Sequence, residues 1–465
     1  MSIGTFHELE ERLASFVVRD APAVSPEELQ QAARHVADLI GVALAGAGLP
    51  DTRRLRVLTA EAPARMAGAA RVWGTRHWAP LREAGLLNAY AGHVHDFDDD
   101  EIEYSMAHVT VTAATAAIVC ADSRPGISGH EVLVAYLLGT EVAFRVGEII
   151  NPYHYRRGWH ASATLGTFAA CAAAGRLLGL SVAQMRHAFG ICASLASGLR
   201  ANFGSEAKPL QVGQSVRNGI FAAEAAMAGM TASAGSLFGP SGYASLFEQD
   251  RDMATIIAGF GRPYRFLGGS MAIKAYPCCT ATHTAIYSML ALRSEHRFSS
   301  EEIASIVCHL DPAQPAILIY DRPVDGTQAK FSMQYCLSAA ATFGAVGIKE
   351  FEEAAVNDPS VRDLMERVEI VPDPGVPKGP SGASNASTLQ VALKNGAMFD
   401  RFQECVPGSL GQSLSDEDLH DKFVECVGDA KPADASRVFH LLIQAGSHPS
   451  FSGLLDHLPS NVRMH

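Results

Sequence analysis

The sequence predicts a mainly α-helical protein with a smaller α+β part, a large all-helical domain carrying an inserted α+β lid domain. Three observations carry this. Helix-capping patterns recur through the first half of the chain. The apolar period shortens to that of a strand in the second half. A helical pattern then returns from Ser415. The chain has 465 residues, and at about 100–200 residues per domain two or three domains are expected. They are read as 1–269 (helical), 270–405 (α+β lid) and 406–465 (a helical return to the first domain).

The helical starts are specific. Ser25-Pro26-Glu27-Glu28 is a capping box with proline at the first helical position. Val36, Leu39, Ile40 and Leu44 follow at helical spacing. Ser128 with Glu131, and Ser181 with Gln184, open two more helices. Gly175 and Gly179 are placed to end the segment before Ser181. Alanine-rich stretches at Ala113–Ala121 and Phe168–Ala174 let helices approach closely, so both are expected to be central and buried. Strand alternation appears at Ile306, Cys308 and Leu310, at Val368 and Ile370, and at Leu389, Val391 and Leu393. The last run meets Asn395-Gly396, a hairpin signal whose two turn positions are expected to take positive φ. Pro372–Ala383, dense in Pro and Gly, reads as a surface loop. Ser415-Asp416-Glu417-Asp418 caps the returning helix, with Leu419, Phe423 and Val424 on its apolar face.

Composition excludes several classes. Hydrophobic content of 48% with 18% charged residues suits a filled core and argues against disorder. A net charge of -12, spread along the chain, offers no footprint for nucleic acid or an anionic membrane. Met1–Arg19 lacks the apolar centre of a signal peptide, and no apolar run reaches the roughly 18–20 residues that span a bilayer. The nine cysteines are scattered without paired spacing, which suits reduced thiols and a cytoplasmic location. There is no GxGxxG after a strand, no Walker loop, no GxSxG and no HExxH, so nucleotide, flavin and serine-hydrolase chemistry has no support.

Several segments can carry chemistry. Gly92-His93-Val94-His95-Asp96-Phe97-Asp98-Asp99-Asp100-Glu101 sets two histidines and five acids after the apolar stretch Leu86–Ala91, and His108 follows. Such a cluster can supply a proton-transfer group of tuned pKa. It also reads as a solvated acidic loop, or through His-x-His-Asp as a metal ligand set. Gly158-Trp159-His160-Ala161-Ser162 puts a histidine at the start of a small-residue helix, where the helix dipole favours a neutral imidazole and bound anions. Ala207-Lys208-Pro209-Leu210-Gln211-Val212-Gly213 and Ile273-Lys274-Ala275-Tyr276-Pro277-Cys278-Cys279 each set a lysine among mild neighbours, as a carboxylate anchor or merely as a solvated charge. Cys278 and Cys279 read as a nucleophile, as metal ligands, or as small buried residues before a helix. Lys330-Phe331-Ser332-Met333-Gln334-Tyr335 opens an alanine-rich helix with Ser332 as its cap and reads as core packing.

Together, in this order, these segments resemble the MmgE/PrpD family of dehydratases, decarboxylases and epimerases. His95-Asp96-Phe97-Asp98-Asp99 is similar to the family's Asp-Phe-Asp-Asp motif, and His108 to the histidine opening the next helix. Gly158-Trp159-His160, Lys208-Pro209-Leu210-x-x-Gly, Lys274-x-Tyr-Pro-Cys and Ala329-Lys330-Phe331-Ser332 resemble its other motifs. The resemblance implies a homodimer with no metal or organic cofactor. It implies a site between the domains where Asp96, His108, His160, Lys208 and Lys274 act on a small carboxylate substrate. His93 and His95 are then read as structural.

The chain also departs from the family pattern. Asp100 stands where a Thr is usual, Val109-Thr110 follows His108, and Cys279 stands where the family's decarboxylases have a His. Tyr320 corresponds to a lid tyrosine only with a one-residue slip. Asp100, Cys279, Tyr320 and His283 are the expected substrate contacts. Acids at Asp100, Glu101 and Glu103, if they face the cleft, disfavour a tricarboxylate, so a substrate with less negative charge than citrate is expected, with an amine or fewer carboxylates. The implied function is a cofactor-independent lyase that moves a proton next to a carboxylate in dehydration or decarboxylation. One alternative is an epimerase or isomerase at the α-carbon of an amino or imino diacid. Another is a non-catalytic helical binding protein.

Overall fold

The computed structural model describes residues 3–247, 251–268, 271–379, 382, 384–409, 412–428 and 432–460. The boundary expected at 269/270 falls outside them. The helical part is built around α1 (Pro26–Ala47), α2 (Leu81–His93), α3 (Thr110–Asp122), α4 (Gly129–Ile150), α5 (Ala161–Leu178), α6 (Val182–Leu195) and α7 (Ala207–Met227). The Ser25 hydroxyl accepts the Glu28 N–H, and the Glu28 carboxylate accepts the Ser25 N–H at 2.6 Å. α4 and α6 open on the same reciprocal caps from Ser128 and Ser181. Each satisfies two backbone donors that a helix start would otherwise leave orphaned.

α5 is the central helix, packed against α3, α4, α6 and α7. Its neighbours come close because small residues meet across the contacts. A Cβ at Gly219 of α7 would lie 2.6 Å from the Thr167 carbonyl oxygen and 2.7 Å from the Ala170 Cβ. One at Gly139 of α4 would lie 2.6 Å from the Ala169 carbonyl oxygen. By length and composition α5 could cross a membrane, which a search for long apolar runs in the sequence does not reveal. Here 89% of it is buried inside the protein. Gly179 ends it in the left-handed region at φ 76°. Gly175 instead lies inside the helix, where Met185 packs so tightly that a Cβ would meet its Cε at 2.4 Å.

A two-residue ladder ties the loop after α2 to the chain approaching the second core. β1 (Asp100–Glu101) runs antiparallel to β2 (Met271–Ala272), with Asp100 opposite Ala272. The second core is separate and smaller, and Ile286, Met289, Ile306 and Leu337 belong to it. It forms between α8 (His283–His296), α9 (Met333–Phe343) and a four-stranded sheet. The strands are β3 (Ile303–Leu310), β4 (Val368–Pro372), β5 (Ser387–Leu393) and β6 (Met398–Gln403), in the order β4-β3-β5-β6. β3 and β4 are parallel and the other pairs antiparallel. Ile306, Cys308, Leu310, Leu389 and Val391 point to the covered face, as the alternation predicts.

The β5–β6 hairpin forms at Asn395-Gly396, but only Gly396 takes a positive φ, at 91°. The Asn395 side chain instead accepts the Ala397 N–H at 2.9 Å. A left-handed glycine after a local Asx contact closes a loop one residue longer than the expected two. The C-terminal return, α10 (Asp416–Val427) and α11 (Pro432–Ile443), joins the helical core. Lys422 of α10 pairs with Asp38 of α1 at 2.6 Å and donates to the Phe97 carbonyl at 2.9 Å.

The packing of α7 on α5 yields a test. Gly219→Val forces a branched side chain against backbone atoms that cannot yield. A loss of about 2 kcal/mol or more in unfolding free energy is expected from urea titration, while a neutral result would contradict this close approach.

Candidate active site

Asp96 lies in the loop between α2 and α3 and adopts φ 52°, a left-handed conformation that aspartate tolerates better than most residues. Two lysines hold it there. Lys208, at the start of α7, donates to Asp96 Oδ1 at 2.5 Å. Lys274, two residues after β2, donates to Asp96 Oδ2 at 3.1 Å and to its carbonyl oxygen at 3.0 Å. All three side chains are buried. Burial by itself would raise the Asp96 pKa, but Lys208 and Lys274 overcome it and hold the carboxyl far below its usual range. Burial likewise opposes the Lys274 charge, and Asp96, Asp100 and Asp98 overcome that opposition and raise its pKa.

A histidine network extends from this triad. Lys208 also donates to His93 Nε2 at 2.6 Å, and His93 Nδ1–H donates to Asp98 at 2.8 Å. That pairing assigns His93 the neutral Nδ1–H tautomer. Burial pushes its pKa down to about 4, against the pull of Asp98. His108 Nδ1 lies 3.2 Å from the same Asp98 carboxylate, in ion-pair range but off hydrogen-bond alignment, and its Nε2 is 3.8 Å from Asp96. The His108 backbone is tied to Ser162 of α5 through a 3.0 Å hydrogen bond. Burial would raise Asp98, but the two imidazoles hold it well below the carboxylate range.

His160 is the N-cap residue of α5. Its Nδ1–H donates to Gln211 Oε1 at 2.8 Å, and Gln211 fixes its own amide by donating to the Leu199 carbonyl. Nε2 is left with a free lone pair and no partner. Burial, with Lys208 nearby, holds this imidazole well below its usual range, so it is neutral.

One cavity of about 370 Å³ lies beside this network, where the two cores meet. Asp96, His108, His160, Lys208 and Lys274 all line it, as do Asp100 and Cys279. The second core contributes Asp311, Gln314, Phe331 and Asn385, and Arg156 and Arg200 complete the cationic side. Phe203 and Phe331 flank the Lys208 ammonium at 5.4 and 5.5 Å from their ring centres. Apolar rings beside a buried ion pair keep water out and strengthen its field.

Other expected residues are placed differently. Tyr320 does not line the cavity. Its hydroxyl donates to the Phe203 carbonyl at 2.9 Å and its ring lies over Gly204, so it ties the second core to the helical part. His283 is also outside, packed edge-on to Tyr276 with Nε2 3.2 Å from the Cys278 carbonyl. Glu101 lines the cavity, but its carboxylate is spent on the Glu103, Tyr104 and Ser105 N–H groups. Glu103 does not line it. Of the three acids expected to repel a tricarboxylate, only Asp100 remains uncommitted on one oxygen. Its other oxygen accepts the Thr280 hydroxyl. The Cys279 thiol is pushed up to about 12 by burial and by Asp96, so it is a protonated wall residue.

His93 joins Lys208 to Asp98, a structural link. His95 does turn away, lining a different cavity beside Lys330, and burial pushes its pKa down to about 3. The His-x-His-Asp ligand set therefore does not converge. A different group, His93, Asp98 and His108, has ligand atoms within 4.8 Å of one another and could hold a metal ion. Gln211, one helical turn after Lys208, has no signal in the sequence beyond its place in that segment. Arg156, Arg200, Asp311 and Gln314 carry no local motif.

A helical domain and a smaller α+β domain meet at this cavity, with a buried acid, lysines and histidines lining it. The chain belongs to the MmgE/PrpD family: residues 11–256 match its N-terminal domain and residues 276–445 its C-terminal domain. It is 27% identical over 367 residues to cis-aconitate decarboxylase of Mus musculus, covering 76% of this chain and 73% of that one. The human cis-aconitate decarboxylase is 28% identical over 354 residues, covering 74% and 72%. That of Aspergillus terreus is 26% identical over 371 residues, covering 74% of each.

Two outcomes follow from the geometry. Asp96→Ala leaves two buried ammonium groups without their counter-ion, and a loss of about 3 kcal/mol or more in unfolding free energy is expected. Urea titration measures it. Nitrogen NMR of labelled imidazoles will show His93 as the neutral Nδ1–H form until the pH approaches about 4. Because its folded pKa is depressed below the ordinary 6.5, His93 adds stability above pH 6.5 that is lost as pH falls through 4. A His93 that titrates near 6.5 would contradict the network.

Proposed function

We propose that the protein is a cofactor-independent lyase that removes water or CO2 from a small carboxylic acid through a carbanion-like stage at the carbon beside a carboxylate. The observation that carries this is the meeting of Asp96, His108, His160, Lys208 and Lys274 at one cavity walled by two domains. The sequence similarity to cis-aconitate decarboxylases supports the reaction class.

The chemistry follows from the placements. Asp96 holds Lys208 and Lys274 side by side, so their charge meets a substrate carboxylate and the negative charge that spreads onto it. In dehydration, His160 Nε2 takes the α-proton with its free lone pair, and His108 passes a proton to the departing hydroxyl, which leaves as water. In decarboxylation, the electrons of the breaking C–C bond stay on the α-carbon and spread toward the lysines. CO2 leaves, and His108 delivers the proton to carbon. Asp98 positions His108 and, through His93, Lys208. Phe203 and Phe331 keep the site dry, which raises the value of each charge.

The test is proton NMR in D2O with a panel of di- and tricarboxylates, hydroxy acids and amino diacids. Loss of water or CO2 with deuterium at the adjacent carbon is expected. Exchange of the α-proton alone would identify an epimerase, and no reaction together with binding would identify a binding protein. His160→Gln and His108→Gln are each expected to lower kcat by about 10²–10⁴. Activity that survives dialysis against a chelator is expected of a cofactor-independent enzyme; stoichiometric loss and return with zinc or iron would place a metal at His93, Asp98 and His108.

A further inference from the structure

The cavity wall that the second core supplies has an unusual hydrogen-bond balance. Asp311 and Gln314 follow β3, on the turn that leads to the second core's short helix at Gln314–Ala316. Asp311 Oδ1 accepts the Ala313 N–H at 2.8 Å, while Oδ2 has no hydrogen bond. Lys378 stands 3.4 Å from that oxygen, in ion-pair range, with its own side chain 45% exposed. Gln314 donates its amide N–H to the Ser384 carbonyl and to Asn385 Oδ1, which leaves Oε1 facing no donor. Asp100 Oδ1, from the helical side, also has none. All three side chains are buried, with exposures of 1% for Asp311, 4% for Gln314 and 8% for Asp100. Each of these oxygens can only accept, and buried acceptors without donors are rare in native structures.

The charges agree. The cavity lining holds four acidic side chains and four lysines or arginines. Lys208 and Lys274 share Asp96 as their one counter-ion, so the trio keeps a single positive charge, enough for one substrate carboxylate. Arg200 donates to the Tyr155 and Ala316 carbonyls. A tricarboxylate would bring further acceptors to three oxygens that have no hydrogen-bond donor. An ammonium group instead brings three donors and a positive charge to a cavity lined by such acceptors.

We infer that the substrate is a zwitterion, an amino acid with a further carboxylate. Its carboxylate lies toward Lys208 and Lys274, and its ammonium is bound by Asp100, Asp311 and Gln314. Asp311 and Gln314 are then specificity-determining residues. This rests on the cavity being the reaction site, and it names the substrate class for the reading given above.

Calorimetric titration of the whole protein with matched ligands tests it without relying on turnover: aspartate against succinate and malate, and glutamate against glutarate. One amino diacid is expected to bind about tenfold or more tightly than its partner lacking the amine, as a charged hydrogen-bonded group should. Asp311→Asn and Gln314→Leu are each expected to lower that ratio at least about fivefold, with thermal melting confirming the fold. If Asp311→Asn does not fold, Gln314→Leu alone decides. Equal binding of the partner lacking an amine, equal binding of malate, a ratio unmoved by either variant, or no binding of any diacid overturns the inference. The two readings fail separately. Amine selectivity without loss of water or CO2 sinks the lyase, whereas turnover confined to acids lacking an amine sinks the zwitterion.

Discussion

The buried contact of Asp96 with Lys208 and Lys274 is the interaction on which the site depends. One carboxylate and two ammonium groups, all withdrawn from water, are stable only together. Lys208 belongs to the helical core, while Lys274 lies two residues after β2, on the chain that leads into the second core. Their shared partner therefore fixes where the second core begins relative to the first. The same contact holds the Asp96 backbone in a left-handed conformation, since Lys274 grips its carbonyl as well as its carboxylate.

The two sides of the cavity do different physical work. The helical side supplies charge and proton acceptors whose ionisation is set by burial. His93 and His160 are neutral because a charged imidazole is costly there, and Asp96 and Asp98 are anionic because cations or imidazoles touch them. The second core supplies the facing surface, with Phe331, Asp311 and Gln314 lining the cavity. Tyr320 fastens the two sides by donating to the Phe203 carbonyl, next to the ring that shields Lys208.

Local chemistry was legible where a short segment satisfies itself. The capping serines at 25, 128, 181 and 415 each open a helix because both hydrogen bonds of the box are made within four residues. The alternation at 306–310 and 389–393 was legible because one sheet face is covered. Gly175 was misread because a glycine spared for close packing looks the same in sequence as one that ends a helix. Asn395 was misread because its side chain offers the turn a second solution. His93 and His95 share one motif, yet one ring joins Lys208 and the other points to a separate cavity, which depends on how α2 ends.

By itself the sequence determined the helical and strand segments, the family, and the types of residue that line the cavity from its motifs, since these rest on short-range periodicity and recognisable motifs. Only the tertiary structure decided which of those residues meet. Asp96 and Lys274 are 178 residues apart, and Lys208 is 112 from Asp96. No local pattern encodes such a pairing; it follows from burying two apolar cores and compensating the charges trapped between them. The same reason hid Asp311 and Gln314, whose free oxygens become meaningful only when the second core sets them against the cavity.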